Sequence, residues 1–128
     1  MKYRLLDLLA CPICKKFPLE LIVIEEKTYE REVQLKNKPF CELYCGLKMV
    51  KIEDLDITPC EECFKKEIVT GVLYCDKCGR WYPIDEEIPR MLPDELRDEK
   101  YEKEFLRKHK DKLPSKILLE GKPFNLAE

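Results

Sequence analysis

Apolar and polar positions along the first half of the chain predict one short helix followed by strands. Leucines at positions 5, 6, 8 and 9 predict a helix over residues 3–10 that buries one side. Alternation over residues 19–24 predicts a strand, and residues 29–35 predict a second one. We expect these two strands to form a hairpin around residues 26–28. A further short strand is expected within residues 47–52.

The second half of the chain contains the strongest strand signal and then a charged helix. Residues 68–74 are rich in β-forming side chains and run directly into a cysteine. Residues 80–84 continue as a strand, whereas the prolines within 88–93 favour the edge of a sheet. From residue 94 to 112 almost every position is charged, and Pro114 ends this segment. Its apolar stripe predicts a helix that docks on the body, through Leu96, Tyr101, Phe105 and Leu106.

The charge content limits the size of the core. Of the 128 residues 39% are charged, against about 25% in ordinary domains, and small domains with small cores usually need a covalent or metal staple. The net charge of −2 weighs against autonomous RNA binding. The apolar stretch before Cys11 is too short for a signal peptide, and no run has membrane-spanning length. We therefore expect a cytoplasmic protein with reduced thiols.

The eight cysteines form four local pairs that are typical of metal knuckles. A close pair lets one turn aim two sulfurs at an ion, and two such turns complete a tetrahedral site. The pairs predict two Zn²⁺ ions, and their charge together with eight thiolates would take the net charge from −2 to −6. Disulfides between pairs and a rubredoxin-like iron site are the alternatives. The pairs are Cys11/Cys14, Cys41/Cys45, Cys60/Cys63 and Cys75/Cys78.

Spacing alone does not decide which pairs share an ion. A nested arrangement joins the outer pairs, Cys11/Cys14 and Cys75/Cys78, and also joins the inner pairs to each other. A sequential arrangement instead joins Cys60/Cys63 to Cys75/Cys78 across a short loop. Both outer knuckles contain a residue that favours a turn. Pro12 lies inside the first knuckle, and Gly79 follows the second, where a left-handed backbone angle is often needed.

No catalytic constellation is visible in the sequence. His109 is the single histidine and lies in the charged helical stretch, where we expect a surface residue. The chain has four glycines and no phosphate-binding loop. An all-cysteine ligand set leaves a zinc ion no open position for a substrate. The sequence therefore predicts a non-enzymatic protein.

Two segments together resemble a known family. The first is LLDLLACPICK at 5–15 with PLEL at 18–21, and the second is EIVTGVLYCDKCGRWYPI at 67–84 with IPRMLP at 88–93. They resemble the small zinc-binding activator subunit shared by several tRNA, ribosomal RNA and release-factor methyltransferases. Short bacterial relatives consist of little more than these two halves.

The resemblance implies an α+β fold with a discontinuous, zinc-ribbon-like domain. A short N-terminal helix and a few-stranded antiparallel sheet would come from residues 1–21 and 67–93. The outer four cysteines would hold one ion, which favours the nested arrangement. Residues 22–66 would form a central insertion with the inner four cysteines as a second site, and residues 94–128 a charged helical extension. The inner cysteines and the extension depart from the family pattern.

The resemblance also implies a partner. Members bind class I S-adenosylmethionine-dependent methyltransferases as heterodimers, keep them soluble and help them bind cofactor and substrate, so RNA would be contacted only through the partner. Strand addition at a sheet edge is the expected mode of binding. The candidate contact residues are Tyr82, Ile84, Ile88, Met91, Leu92, Leu5 and Leu8.

Two other functions are compatible with the same cysteines. The first is a nucleic-acid-binding zinc ribbon of transcription or translation, and the second is a thiolate–iron electron carrier. The first would require a basic face, for which the candidates are Lys2, Arg4, Lys15, Lys16, Arg80 and Arg90.

Overall fold

The computed structural model describes residues 1–32, 41–56 and 59–127. In these residues the chain forms strands and short helices in a small α+β arrangement, as the sequence predicted. The strands are β1 (Glu20–Thr28), β2 (Tyr44–Cys45), β3 (Val50–Lys51), β4 (Lys66–Tyr74), β5 (Trp81–Asp85) and β6 (Ile88–Pro89). The α-helices are α1 (Cys60–Phe64), α2 (Glu99–Lys108) and α3 (Ser115–Leu118), and 3₁₀ helices occupy Tyr3–Asp7, Ile52–Asp54, Asp94–Leu96 and Lys110–Lys112.

An antiparallel sheet with the strand order β1-β4-β5-β6 forms the centre of the described structure. Strand β4 is buried along most of its length, in keeping with its β-branched sequence. It pairs with β1 from Glu20 opposite Tyr74 to Thr28 opposite Lys66, with register shifts between Val23 and Glu26. The two-residue β6 lies at the edge of the sheet, as the prolines predicted.

The predicted hairpin around residues 26–28 is wrong. These residues continue strand β1 and pair with β4, and the Tyr29 N–H then donates to the Lys65 carbonyl. The segment contains no glycine, asparagine or proline that would favour a tight turn, whereas β4 provides a long β-forming partner. Most of the predicted second strand, including Val33 and Leu35, lies outside the described residues.

The two faces of the sheet carry separate cores. On one face the N-terminal 3₁₀ helix contributes Tyr3 and Leu6, which pack with Tyr82 and Ile84. On the other face α2 and α3 pack against the sheet, with the cluster formed by Val72, Tyr74, Trp81, Phe105, Leu106, Leu113 and Ile117. The charged extension therefore docks on the body, as its apolar stripe predicted, although Leu96 stays exposed.

Helix α2 follows ordinary capping rules. The side chain of Asp98 accepts a hydrogen bond from the Tyr101 N–H at the N-terminus, and Arg107 and Lys108 lie in the last turn. His109 follows the helix and is half-buried rather than fully exposed, because its ring meets the Phe105 ring edge-on at 4.7 Å. Burial lowers the pKa of His109. In the described residues no helix combines the length and apolarity needed to cross a membrane.

One carboxylate attaches residues 42–44, which lie within the predicted central insertion, to the N-terminal 3₁₀ helix. Asp7 accepts hydrogen bonds from the N–H groups of Glu42, Leu43 and Tyr44 at 2.7–3.0 Å. Burial opposes ionisation of this carboxylate, but the three donors outweigh it and lower the pKa of Asp7. The segment leading into β2 is therefore fixed on residues that precede the first outer knuckle.

A buried ion pair within the extension holds an arginine against the sheet. Arg97 Nε donates to a Glu102 carboxylate oxygen at 2.8 Å, and a second hydrogen bond joins the same two groups. Both side chains are at most 5% exposed. The Arg97 guanidinium also lies over the Trp81 and Tyr82 rings, at 5.3 and 5.1 Å from their centroids. Because the pair is desolvated, each charge depends on the other.

We predict that Glu102→Leu destabilises the protein by about 3–5 kcal/mol, because it leaves the Arg97 charge buried without a partner. The double variant Arg97→Met/Glu102→Leu should recover most of this loss, since it removes both charges. Urea unfolding at neutral pH measures the free energies.

The Lys103–Glu99 pair on the same helix, in which both side chains reach solvent, provides the matched control, and Lys103→Ala should change stability by less than about 1 kcal/mol. A Glu102→Leu loss no larger than that of Lys103→Ala would contradict the prediction.

Candidate metal centre

The two outer knuckles have the same backbone construction. The Cys11 N–H donates to the Lys16 carbonyl, and the Cys75 N–H donates to the Arg80 carbonyl, five residues on in each case. Four residues after each first cysteine, the N–H of Lys15 or Gly79 returns a hydrogen bond to that cysteine's carbonyl. Both residues have positive φ, 67° for Lys15 and 79° for Gly79. The left-handed angle at Gly79 was expected, whereas nothing in the sequence predicted one at its counterpart, Lys15.

The structure brings the four outer sulfurs together. All four lie within 4.8 Å of one another, with Cys11 Sγ 3.7 Å from Cys78 Sγ and Cys14 Sγ 3.3 Å from Cys75 Sγ. A tetrahedral zinc site with bonds of about 2.3 Å has sulfur–sulfur edges of about 3.8 Å. The outer cysteines could thus hold one metal ion with small side-chain movements.

Hydrogen bonds to Cys11 favour the ionised form of this thiol. Burial opposes ionisation of Cys11, but the N–H groups of Cys14 and Ile13 and the Tyr82 hydroxyl outweigh it and lower the pKa of this thiol to about 6. Burial instead raises the pKa of Cys75. Four thiolates this close repel one another, so a cation is needed to keep all of them ionised.

Two side chains beside the sulfurs were not predicted as part of the centre. The Tyr82 oxygen lies 3.3 Å from Cys11 Sγ. The Arg80 guanidinium donates hydrogen bonds to Asp94 and to Cys78, and these hydrogen bonds raise its pKa. Both residues follow the second knuckle, but only the folded sheet places Tyr82 beside a cysteine 71 positions earlier.

The C-terminal segment pairs with the second knuckle. The Lys122 N–H donates to the Gly79 carbonyl at 2.9 Å, and the Trp81 N–H donates to the Lys122 carbonyl at 3.1 Å. The Trp81 indole N–H donates to the Phe124 carbonyl at 2.9 Å. The extension thus supports the backbone that carries two of the four outer ligands.

The inner cysteines also approach one another, but less closely. All four line one small pocket, yet in the described residues only the outer set has its ligand atoms all within 4.8 Å of one another. Burial, together with the neighbouring thiols and, for Cys41, Asp7, raises the pKa of Cys41 to about 11 and that of Cys63 to about 12.

The predicted contact residues fall into three groups by exposure. Tyr82 and Ile84 are fully buried in the core, so their side chains cannot touch a partner in this conformation. Leu5 and Met91 are half-buried against the same core. The exposed members are Ile88, Leu92 and Leu8, at 56%, 43% and 58% of their surface. Only these three offer a partner substantial apolar area.

Comparison with known proteins gives a family match and a likeness to a solved structure. The family model described as Trm112p-like protein matches residues 2–87, and no curated protein matches the chain. A chain of the solved structure titled as the E. cuniculi Mtq2–Trm112 complex responsible for the methylation of the eRF1 translation termination factor is 24% identical. That similarity covers 72% of this chain and 95% of the other, with a TM-score of 0.49. Because the family match spans more than half of its length and includes every cysteine, the chain belongs to the Trm112p-like family.

Proposed function

We propose that this chain is a non-catalytic, zinc-binding partner that stabilises and activates class I S-adenosylmethionine-dependent methyltransferases acting on tRNA, ribosomal RNA or release factor. The observation that carries the proposal is membership of the Trm112p-like family, whose members serve as such activators. The partner supplies the S-adenosylmethionine site, and the two chains form a heterodimer. Reduced thiols are consistent with a cytoplasmic location, which stays a prediction.

The donor set supports zinc in the outer site. Four cysteine sulfurs on two knuckles match closed structural zinc sites, which contribute folding free energy rather than catalysis. Iron also accepts four thiolates, so metal analysis of the purified chain distinguishes the two. A closed metal site leaves no open ligand position for a substrate, which supports a structural role for the ion.

The exposed edge of the sheet provides the proposed contact surface. We define it by Ile88, Leu92 and Leu96, which are exposed apolar residues in and after edge strand β6. A groove of about 280 Å³ lies beside it, lined by Leu92, Leu96, Pro83 and Tyr101 among others. A strand of the methyltransferase would pair with the edge while these side chains enter its apolar surface.

Direct nucleic-acid binding is less well supported by the same structure. Lys2 is paired with Glu67 at 2.5 Å, and Arg80 with Asp94 at 2.7 Å. Arg90 lies over the Tyr101 ring at 5.3 Å. Because several members of the predicted basic face already have internal partners, they offer less free charge to a phosphate backbone.

We predict that Tyr82→Phe weakens zinc binding roughly tenfold, since loss of a group that hydrogen-bonds a metal ligand typically costs 10–100-fold in affinity. Competition with a chromophoric chelator measures the affinity. Tyr74→Phe is the matched control, because Tyr74 belongs to the core on the opposite face. Equal affinity in Tyr82→Phe and the unchanged chain would refute a role for this hydroxyl.

We predict that Ile88→Asp/Leu92→Asp weakens methyltransferase binding at least about thirtyfold, because two apolar anchors are replaced by charges. The metal content should stay unchanged, since neither residue is one of the proposed metal ligands. Leu119→Asp, at an equally exposed leucine after α3, should bind normally. Full binding by the folded double variant would reject this surface.

The function itself is tested by affinity purification of the tagged chain from its native cells, followed by mass spectrometry. Stoichiometric recovery of one or more methyltransferases, inactive or insoluble without this chain, is the expected result. If folded, metal-loaded bait recovers none, the proposal fails and salt-sensitive RNA binding becomes the function to test.

A further inference from the structure

We propose that Cys41, Cys45, Cys60 and Cys63 form a second structural zinc site, which fixes the central insertion on the N-terminal 3₁₀ helix. The four residues line one pocket of about 10 Å³, which is the space of roughly one water-sized sphere. Three of them, Cys45, Cys60 and Cys63, are only 7–8% exposed. The site is separate from the outer centre and does not depend on the proposed methyltransferase role.

The turn after Cys45 repeats the backbone construction of the two outer knuckles. Cys45 pairs with Val50, five residues on, as Cys11 does with Lys16. The N–H of Met49, four residues on, donates to the Cys45 carbonyl at 2.7 Å, and Met49 has a positive φ of 56°. Both outer turns have a hydrogen bond and a left-handed residue at the equivalent place. Cys45 therefore occupies the position of a first knuckle ligand.

The second ligand of that turn comes from a different place in the sequence. An outer knuckle has its second cysteine three residues after the first, where this turn has Lys48. Cys41 precedes the turn instead and lines the same pocket. Cys41 and Cys45 are separated by three residues rather than two. This spacing follows because Cys41 precedes the turn, whereas the second cysteine of an outer knuckle lies within it.

A helix presents the other two ligands. Cys60 and Cys63 lie in the five-residue helix α1, and the Cys63 N–H donates to the Pro59 carbonyl. Residues three apart on a helix share one face, and both side chains line the pocket. Packing alone would be satisfied by other small apolar residues here, whereas a four-thiolate zinc site uses a cysteine at each of the four positions.

The pocket wall excludes other ligand chemistries. Apart from the cysteines it includes apolar side chains such as Ile52 and Phe64, with no histidine or carboxylate among the lining residues. A soft cation that accepts four thiolates is the ligand that fits this environment. Because the inner sulfurs lie farther apart than the outer ones, we expect binding to draw them to edges of about 3.8 Å.

The insertion is already placed for this site by its contacts with the N-terminal 3₁₀ helix. Asp7 holds the N–H groups that lead into β2, and Gly46 approaches so closely that an added Cβ would lie 2.3 Å from the Tyr3 carbonyl oxygen. A zinc ion would join this anchored hairpin to α1, which is followed at once by β4. The inner zinc ion would then hold the insertion against the N-terminal 3₁₀ helix, which directly precedes the first outer knuckle.

The test is the zinc content of the full chain, purified under reducing conditions and measured by inductively coupled plasma mass spectrometry. We expect two zinc ions per unchanged chain and one in Cys60→Ser/Cys63→Ser. Glu62→Ala changes an exposed neighbour on the same helix and should retain two. One ion per unchanged chain, with four inner thiols that react freely with a thiol reagent, would overturn the proposal.

A second measurement needs no variant and covers the case in which the serine variant fails to fold. Cadmium-113 NMR of the unchanged, cadmium-loaded chain should show two resonances in the region of four-thiolate sites, and a single resonance at saturation would reject the inner site. Failure here is distinguishable from failure of the activator role, because methyltransferase capture by the unchanged chain is scored separately.

Discussion

The convergence of four cysteine sulfurs from two distant turns is the constraint on which the rest of the structure depends. Cys11 and Cys78 are 67 residues apart, and Cys14 and Cys75 are 61 apart. Strand β1 begins soon after the first knuckle and β4 ends at the second, so joining the knuckles sets Glu20 opposite Tyr74. The register of the sheet, and with it the side chains that face each core, follows from this pairing.

Strand β5, which follows the second knuckle, contributes side chains to the cores on both faces of the sheet. Successive side chains of a strand point to opposite sides, and Tyr82 accordingly lies with the knuckle core while Trp81 lies under α2. Arg97 covers both rings and is neutralised by Glu102. The extension beyond the family match is thus an integral layer of the fold, and it reaches the second knuckle again through Lys122.

The two faces leave different surfaces for function. The extension covers one face, whereas the N-terminal 3₁₀ helix and the insertion cover much of the other. The edge at β6 remains open in the described structure and carries exposed apolar residues such as Ile88 and Leu92. An edge of this kind is costly to leave unprotected in a free chain, which is consistent with a protein that works in a complex.

The sequence by itself determined the local features: the knuckle turns, strand β4, the edge position of 88–93 and the docking stripe of α2. Each depends on residue types within one turn or one strand, such as Gly79 after Cys78 or the β-branched run before Cys75. Only the tertiary structure decided that residues 26–28 pair with β4, that the Tyr82 hydroxyl lies beside Cys11 Sγ, and that the Lys122 N–H donates to the Gly79 carbonyl. These contacts join residues that are far apart in the chain. They stabilise the fold only after the two knuckles have come together, so local composition cannot specify them.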